Sequence, residues 1–357
     1  MNTFDGLIDA KELAAIDEVI QSFLARRLSD SASISEYYQE LWLEIARMFN
    51  SGGKRLRPQI TLLAYRIFGG KEPESILPAA AAQELLNLGM LVHDDIIDLD
   101  YVRYGVDNIA GIYLNKYDKF VPNNNDKLHF AHSAALLAGD LLLSEAHLML
   151  AESKVSANKI LEVQKLFGQG IFEVTGGELL DTESTFRNSG AINPELVARY
   201  KTASYTFITP MLIGFQLADG AISNQKHIIN LGSFLGIAYQ LRDDILGVFG
   251  DSSITGKSNS SDIITGKQTL MVSQFNNLAD KQQKHTFDSL FGVGPISEKD
   301  LDCVRNLLIK TGALEYTEQK IDEYVLLANA ESNKLNIEPE HKDLVDKLIK
   351  VTTKRKK

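Results

Sequence analysis

The sequence predicts an all-α protein, and three observations carry that prediction. Apolar residues recur at three- and four-residue steps through nearly the whole chain, the spacing that one buried helix face requires. Only eight of the 357 residues are proline, and Pro58, Pro78, Pro194 and Pro339 stand where periodic stretches begin, a place helices tolerate them. No run alternates as a half-buried strand does, and no Asn-Gly turn lies between β-branched runs.

The first helix is expected from Leu13, where Ile16, Val19, Ile20, Phe23 and Leu24 make one apolar stripe. Further helical patterns run through about 35–49, 58–68, 77–98, 128–151, 157–181, 194–219 and 225–249. Shorter ones follow at about 269–291, 298–311, 313–335 and 340–352. Three segments break the pattern: a glycine-hinged basic loop at 50–57 (NSGGKRLR), a long polar connection at 103–127, and a Gly-, Ser- and Asp-rich stretch at 250–268. Loops this long in a compact domain are functional or disordered. The basic end TTKRKK reads as a solvated terminus. No fixed-period repeat and no linker-like composition appears, so residues 1–357 are expected to form a single large helical domain.

Composition excludes several classes. Hydrophobic residues make up 44% and charged residues 24%, the mix of a globular core rather than of disorder. A net charge of −10 argues against a general nucleic-acid binder. The single cysteine, Cys303, excludes a disulfide framework and a Cys-rich zinc module, and is expected to be a buried small hydrophobe. The N-terminus carries acids early and does not read as a signal peptide. No run approaches about eighteen uninterrupted apolar residues, so no membrane span is expected. The expectation is a cytoplasmic protein.

The strongest local signal is LVHDDIIDLD. Asp94 and Asp98 share a helix face with Cβ atoms about 5–6 Å apart, and Asp95 lies about 100° round the helix. Crowded acids repel one another unless a cation neutralises them. Oxygen-only ligands suit Mg²⁺ rather than Zn²⁺. Alone, the cluster could equally be a solvated helix end. A second cluster shifts that balance: in AYQLRDDILGVFGD, Asp243 and Asp244 are expected to end another long apolar helix, with Asp251 beyond. Two such helices facing one cavity can hold several Mg²⁺ and clamp phosphates. Cations stand beside both. Lys54, Arg55 and Arg57 follow Gly52-Gly53, Arg103 follows the first cluster, and Lys257 and Lys267 flank the second, each after a glycine. Any one is ordinarily a surface charge; together they describe a site for polyanions. A P-loop is absent, and no His-x-x-x-His pair occurs. His93 reads as packed or hydrogen-bonded rather than as a metal ligand.

At this point the chain resembles a known family. GGKRLRP, LVHDDIID, LAGDLLL, GGELLD, YKTASY, YQLRDDIL, FGD and GK…SDI…GKQTL occur in order over about residues 40–275, as in the trans-isoprenyl diphosphate (polyprenyl) synthases. The resemblance implies an isoprenoid-synthase-type bundle around a deep central cavity, usually homodimeric. It implies Mg²⁺-dependent condensation of isopentenyl diphosphate with an allylic diphosphate such as dimethylallyl, geranyl or farnesyl diphosphate. Matched by motif, Asp94, Asp98 and Asp243 would hold Mg²⁺ on the allylic diphosphate, with Asp95 and Asp244 in support. Arg103, Lys201, Lys257 and Lys267 belong to the same substrate-binding set, with Thr202 and Gln240 near the allylic carbons. Lys54 and Arg57 would hold isopentenyl diphosphate.

Three positions depart from the family pattern. Tyr104 stands where a second arginine is common, Asn87 where a histidine is common, and Gly247 where the second motif usually closes with an aspartate. The first two fall in the isopentenyl diphosphate site. A non-catalytic partner subunit of a heteromeric synthase is therefore the alternative reading, and the intact acidic and basic sets argue for activity. Gly89, Met90 and, a turn further down, Leu86 are expected to line the path of the growing chain. None is aromatic, which predicts products of geranylgeranyl length or longer.

Overall fold

The computed structural model describes residues 7–117, 120–121, 123–187, 190–250 and 260–353. Helix α1 (Ala10–Ala32) opens on a capping box between Asp9 and Glu12 and buries Ile16, Ile20, Phe23 and Leu24. Ser35 caps α2 (Glu36–Asn50), which buries Leu41, Trp42, Ile45, Met48 and Phe49. Helix α3 (Leu56–Ile67) is buried on nearly every side. The core centres on α4 (Leu77–Ile97), buried without a break from Ala79 to Gly89, packed along α6 (Asn124–Ala151). A helix apolar all round belongs in an interior. The two approach so closely that a Cβ on Gly139 would lie 2.1 Å from His93 Nε2. By length and composition alone both are long and apolar enough to cross a membrane, a test that a buried core helix also passes. In this fold, however, 72% of the most apolar window around α4 is buried inside the protein, against 50% of that in α6.

The 103–127 connection is more structured than its polarity suggests. Val102–Arg103 (β1) pairs antiparallel with Val106–Asp107 (β2) through a turn in which Tyr104 (φ 54°) and Gly105 (φ 78°) are both left-handed. Those signs make a hairpin turn of the primed kind. The two strands hold two residues each, too short for alternation to register. Helix α5 (Ile109–Lys116) follows, capped by Asn108, whose side chain accepts from the Gly111 N–H.

Helix α7 (Ala157–Phe186) leads to α8 (Pro194–Val197), which continues without a loop into a π-helical stretch, Ala198–Ile208, and then α9 (Thr209–Leu217). A π-helix bonds i→i+5 and is wider than an α-helix, so it fits only where neighbours lack side chains. Glycines supply the room: a Cβ on Gly177 of α7 would lie 2.1 Å from the Lys201 backbone nitrogen, and one on Gly236 would lie 2.2 Å from the Ala203 Cβ. Gly236 belongs to α10 (Gln225–Phe249), which packs against the π-helical stretch. Asp243 and Asp244 do not end α10, as expected, but precede a further turn closed by the buried Val248.

Beyond it, α11 (Ser261–Thr265) stops at Gly266 (φ 72°). The 269–291 pattern divides into α12 (Leu270–Leu278) and α13 (Lys281–Asp288), because Asp280 caps a new helix with its own box to Gln283. Helices α14 (Glu298–Lys310), α15 (Ala313–Ser332) and α16 (Lys342–Thr353) complete the described fold. Cys303 on α14 is half-buried rather than buried.

Candidate active site

The first acidic cluster sits at the C-terminal end of α4, where Asp98 is the cap residue. Asp95 is 3% exposed and takes the Arg103 guanidinium at 2.8 Å from Nε and 2.5 Å from Nη2. The same Nη2 reaches Asp94 at 3.3 Å. The β1–β2 hairpin turns Arg103 back onto its own helix end. Burial pushes the Asp95 carboxyl up to about 6, against the pull of Arg103. Burial and then the neighbouring Asp94 push Asp98 to about 6 as well.

Lys201, on the π-helical stretch, joins this cluster to α7. Its Nζ donates to Glu178 at 2.9 Å and Asp181 at 2.6 Å and lies 3.5 Å from Asp94. Burial works against its charge, but Asp181, Asp94 and Glu178 outweigh burial and hold its pKa above the ordinary lysine value. Burial raises Glu178 to about 7. Glu178 and Asp181 belong to the GGELLD motif, to which the sequence reading assigns no role. Their three-residue spacing on one helix face is the same signal that singled out Asp94 and Asp98.

The second cluster is assembled from three segments. Thr202 Oγ1 donates to Gln240 Oε1 at 2.5 Å, and Gln240 Nε2 donates to Asp244 Oδ1 at 2.9 Å. Lys267 Nζ donates to the same oxygen at 3.0 Å. Asp244 is buried, and burial raises its pKa while Lys267 opposes the rise. Lys267 is held above its ordinary value by Asp244, Asp262, Asp181 and Asp243, which outweigh its burial. Asp181 acts on both Lys201 and Lys267, so the two acidic clusters share one electrostatic site. Lys257 and Asp251 lie outside the described residues.

The basic loop divides its labour. Arg55, left-handed at φ 49°, is fully committed to the fold. It bonds Asp17 (2.9 Å), Glu84 (3.1 Å) and the carbonyls of Gly52 and Phe49, and lies 3.9 Å over the Phe49 ring. Arg57 donates to Thr206 Oγ1 at 2.7 Å and stacks 4.1 Å over Tyr205, while its Nε is buried without a hydrogen-bond partner. Lys54 precedes it, half-buried. The Tyr104 ring lies against Gly52, within the field of Arg103, Glu84 and Arg57, so the hairpin carries it to this loop. Asn87 is 9% exposed and sits one turn beyond Glu84. Met90 is half-buried and Leu86 fully buried. Gly89 does not face the same way as Met90: a Cβ there would meet the Gly139 carbonyl and Leu142 at 3.2 Å and Leu143 at 3.3 Å, all on α6.

Among the described residues no three His, Cys, Asp or Glu side chains form a ready-made metal cage. The donor set nonetheless fits a hard divalent cation. It consists of carboxylate oxygens alone, and burial first, with the charge of Asp94 second among the causes that act upward, raises Asp98 and Glu178. Such a site can bind a metal–diphosphate complex and stabilise charge that grows on a leaving diphosphate.

Comparison with known proteins agrees with this chemistry. A family model described as polyprenyl synthetase matches residues 39–308. A geranylfarnesyl diphosphate synthase of Aeropyrum pernix is 32% identical over 318 residues, covering 87% of this chain and 92% of that protein. A geranylgeranyl pyrophosphate synthase of Geoglobus acetivorans is 30% identical over 83% of this chain and 85% of its own length. The structure of a Corynebacterium glutamicum geranylgeranyl pyrophosphate synthase, complexed with isoprenyl diphosphate and magnesium, superposes with a TM-score of 0.86. It is 30% identical and is covered over 98% of its length by 96% of this chain.

Proposed function

The chain belongs to the polyprenyl synthetase family, and from that premise we propose that it condenses isopentenyl diphosphate with an allylic diphosphate (dimethylallyl, geranyl or farnesyl). The products are all-trans prenyl diphosphates of geranylgeranyl length or longer. The observation that carries the reading is the convergence of two acidic clusters, 149 residues apart in sequence, on Lys201, Asp181 and Lys267.

Asp94, Asp98 and Asp243 hold Mg²⁺, and Asp95 and Asp244, pinned by Arg103 and Lys267, keep the cluster in place. When bound, magnesium neutralises charge on the leaving diphosphate. Arg103, Lys201, Lys257 and Lys267 contribute fixed positive charge to the same group. Lys54 and Arg57 bind isopentenyl diphosphate, with Asn87 and Tyr104 beside them. As the allylic C1–O bond breaks, the isopentenyl double bond attacks that carbon, and the released diphosphate accepts the proton lost from C2 of the isopentenyl unit. Thr202 and Gln240, fixed by their mutual hydrogen bond, lie near the allylic carbons.

A homodimer is supported by two unpartnered stripes. Leu161, Phe172, Leu179 and Phe186 are 56–82% exposed at eleven- and seven-residue steps along α7, and Phe130, Leu137 and Leu148 repeat the pattern on α6. Residues at those steps share one helix face, and stripes this apolar mark an interface. We read residues 1–357 as one domain that acts in the cytoplasm. Purified protein, labelled isopentenyl diphosphate, each allylic primer, and Mg²⁺ or chelator test the reading, with products sized by chromatography. Transfer that requires Mg²⁺ supports it; no product from any primer sinks it in favour of a non-catalytic partner subunit.

A further inference from the structure

Lys201 has more carboxylate around it than its charge requires. Its Nζ donates to Glu178 Oε1 at 2.9 Å and to Asp181 Oδ2 at 2.6 Å, both on α7, and lies 3.5 Å from Asp94 Oδ1 on α4. Glu178 and Asp181 are three residues apart on one face of α7, so they meet the lysine together. The two backbones are brought close at this point. A Cβ on Gly177, next to Glu178, would lie 2.1 Å from the Lys201 backbone nitrogen, so the glycine lets α7 approach the π-helical stretch where the ammonium is held. An ammonium carries three N–H donors. Two are taken by α7. The third is left for the side of Asp94, at a distance longer than an ordinary hydrogen bond.

One carboxylate neutralises one lysine, and a second beside it adds repulsion. Direction explains the pair better than charge does. A lysine ammonium rides on a flexible four-carbon stem and can take many positions; two acceptors fixed on one helix leave it one. We propose that Glu178 is a positioning residue, which together with Asp181 aims the remaining N–H of Lys201 at the diphosphate held by the Asp94 cluster. The proposal rests on the prenyl-transfer reading above and deepens it at a residue to which that reading gives no part. Glu178 suits the task because it need not cancel the charge it aims. Burial lifts its carboxyl to about 7, with Lys201 pulling down and Asp94 and Asp181 pushing up. A protonated carboxyl still accepts a hydrogen bond from the ammonium.

The test separates aim from charge and from packing. Inorganic pyrophosphate is titrated calorimetrically, with Mg²⁺ present, into full-length wild type, Glu178→Ala, Glu178→Gln, Lys201→Met and the double variant Glu178→Ala with Lys201→Met. Thermal melts report folding, and steady-state kinetics of prenyl transfer accompany each. Glu178→Ala is expected to weaken pyrophosphate binding about tenfold, the scale of a lost hydrogen bond to a charged group. The KM for the allylic substrate should rise by a similar factor while that for isopentenyl diphosphate stays as in wild type, a split that a packing defect does not produce. Glu178→Gln, whose amide oxygen can accept the same bond, is expected to restore most of both. On the Lys201→Met background Glu178→Ala should change nothing more, because no ammonium is left to aim. Should Glu178→Ala melt early, Glu178→Met keeps the volume without an acceptor and gives the same measurement. Wild-type affinity and allylic KM in the folded Ala or Met variant overturn the proposal. So does an equal loss in a stably folded Glu178→Gln, or losses that add in the double variant, since Glu178 would then act by charge or away from Lys201. Wild type that binds pyrophosphate but makes no product from any primer removes the prenyl-transfer reading, while the binding measurements still decide the part of Glu178.

Discussion

Asp95 and Asp244 are the buried acids of the two clusters, 3% and 6% exposed, and each is neutralised by a cation in hydrogen-bond contact. They differ in where that cation comes from. Asp95 takes Arg103, eight residues along, through a two-residue hairpin. Asp244 takes Lys267, twenty-three residues along, beyond the whole 250–266 segment. The first cluster is therefore a local structure that forms when α4 ends and its hairpin closes. The second exists only once α11 has docked on α10. Preorganisation that depends on a docked segment is lost by partial opening, which costs far less than global unfolding.

The largest effect that could break this comparison is on turnover. Asp94→Ala and Asp243→Ala are each expected to lower kcat by about 100-fold or more, on the scale of removing one preorganised electrostatic group. Circular dichroism should show both folded. Near-normal turnover in Asp243→Ala alone would leave the α4 cluster as the whole catalytic site.

Proton competition gives the next effect. Asp98 is held protonated up to about 6 rather than 3.8 in the cation-free protein, because burial and Asp94 disfavour its charge. A protonated carboxyl does not ligate metal, so Mg²⁺ affinity should be complete above pH 6 and fall about tenfold per unit below it. Isothermal titration with pyrophosphate across pH 5–7.5 checks the slope, and Asp98→Asn should flatten it. The stability sign is opposite. Between about pH 4 and 6 the folded state binds more protons than the unfolded state, so the cation-free protein gains stability from this group as pH falls through that window and loses it as pH rises. A melting temperature that climbs with pH in wild type but not in Asp98→Asn would contradict the assignment.

A smaller effect is expected at the hairpin tip. Tyr104→Arg restores a cation beside Lys54 and Arg57, and a charged hydrogen bond is worth about 1.5–3 kcal/mol. The KM for isopentenyl diphosphate should fall about three- to tenfold, part of the gain being lost to a flexible side chain, with little change for the allylic substrate. An unchanged or raised KM would place Tyr104 outside that subsite. The smallest shift is in product length. Met90→Phe should shorten the product by about one isoprene unit of five carbons, because a rigid ring replaces a flexible thioether. Gly89→Tyr should instead cost stability, about 1–3 kcal/mol or more, since its Cβ already presses on α6. A stable Gly89→Tyr protein that makes farnesyl diphosphate would show that Gly89 faces the product after all.

The same contrast governs what the sequence made legible. Asp94, Asp95 and Asp98 lie at one helix end, so helical spacing groups them, while Arg103, beyond the helix, joins them only through the family resemblance. Asp243 and Asp244 are legible as a pair, and Asp262 is legible in SDI, but the contact of Asp262 with the Gly247 position exists only across two docked segments. Arg55 and Arg57 look alike in GGKRLR, yet one is consumed by Asp17 and Glu84, which come from α1 and α4. Helix α5 gives no periodic signal, because only Ile109, Ala110, Gly111 and Tyr113 are buried, about one turn. The π-helical stretch left no mark in its own residues; Gly177 and Gly236, which make room for it, sit on other helices.

That stretch also bears on how the chain can change length. From Pro194 to Leu217 the backbone runs through α8, the π-helical turns and α9 with no loop to take up slack. Deleting one residue there would rotate either Lys201 and Thr202 or Phe207 and Ile208 relative to the other pair wherever the π-helical hydrogen bonding is kept. One half would leave the carboxylates, or the other would leave the core, where Phe207 is fully buried. The bend at Ala218–Ala221, between α9 and the turn leading into α10, carries no such burden. A scan of single-residue deletions should therefore find a hard boundary close to Leu217, intolerant before it and permissive just after.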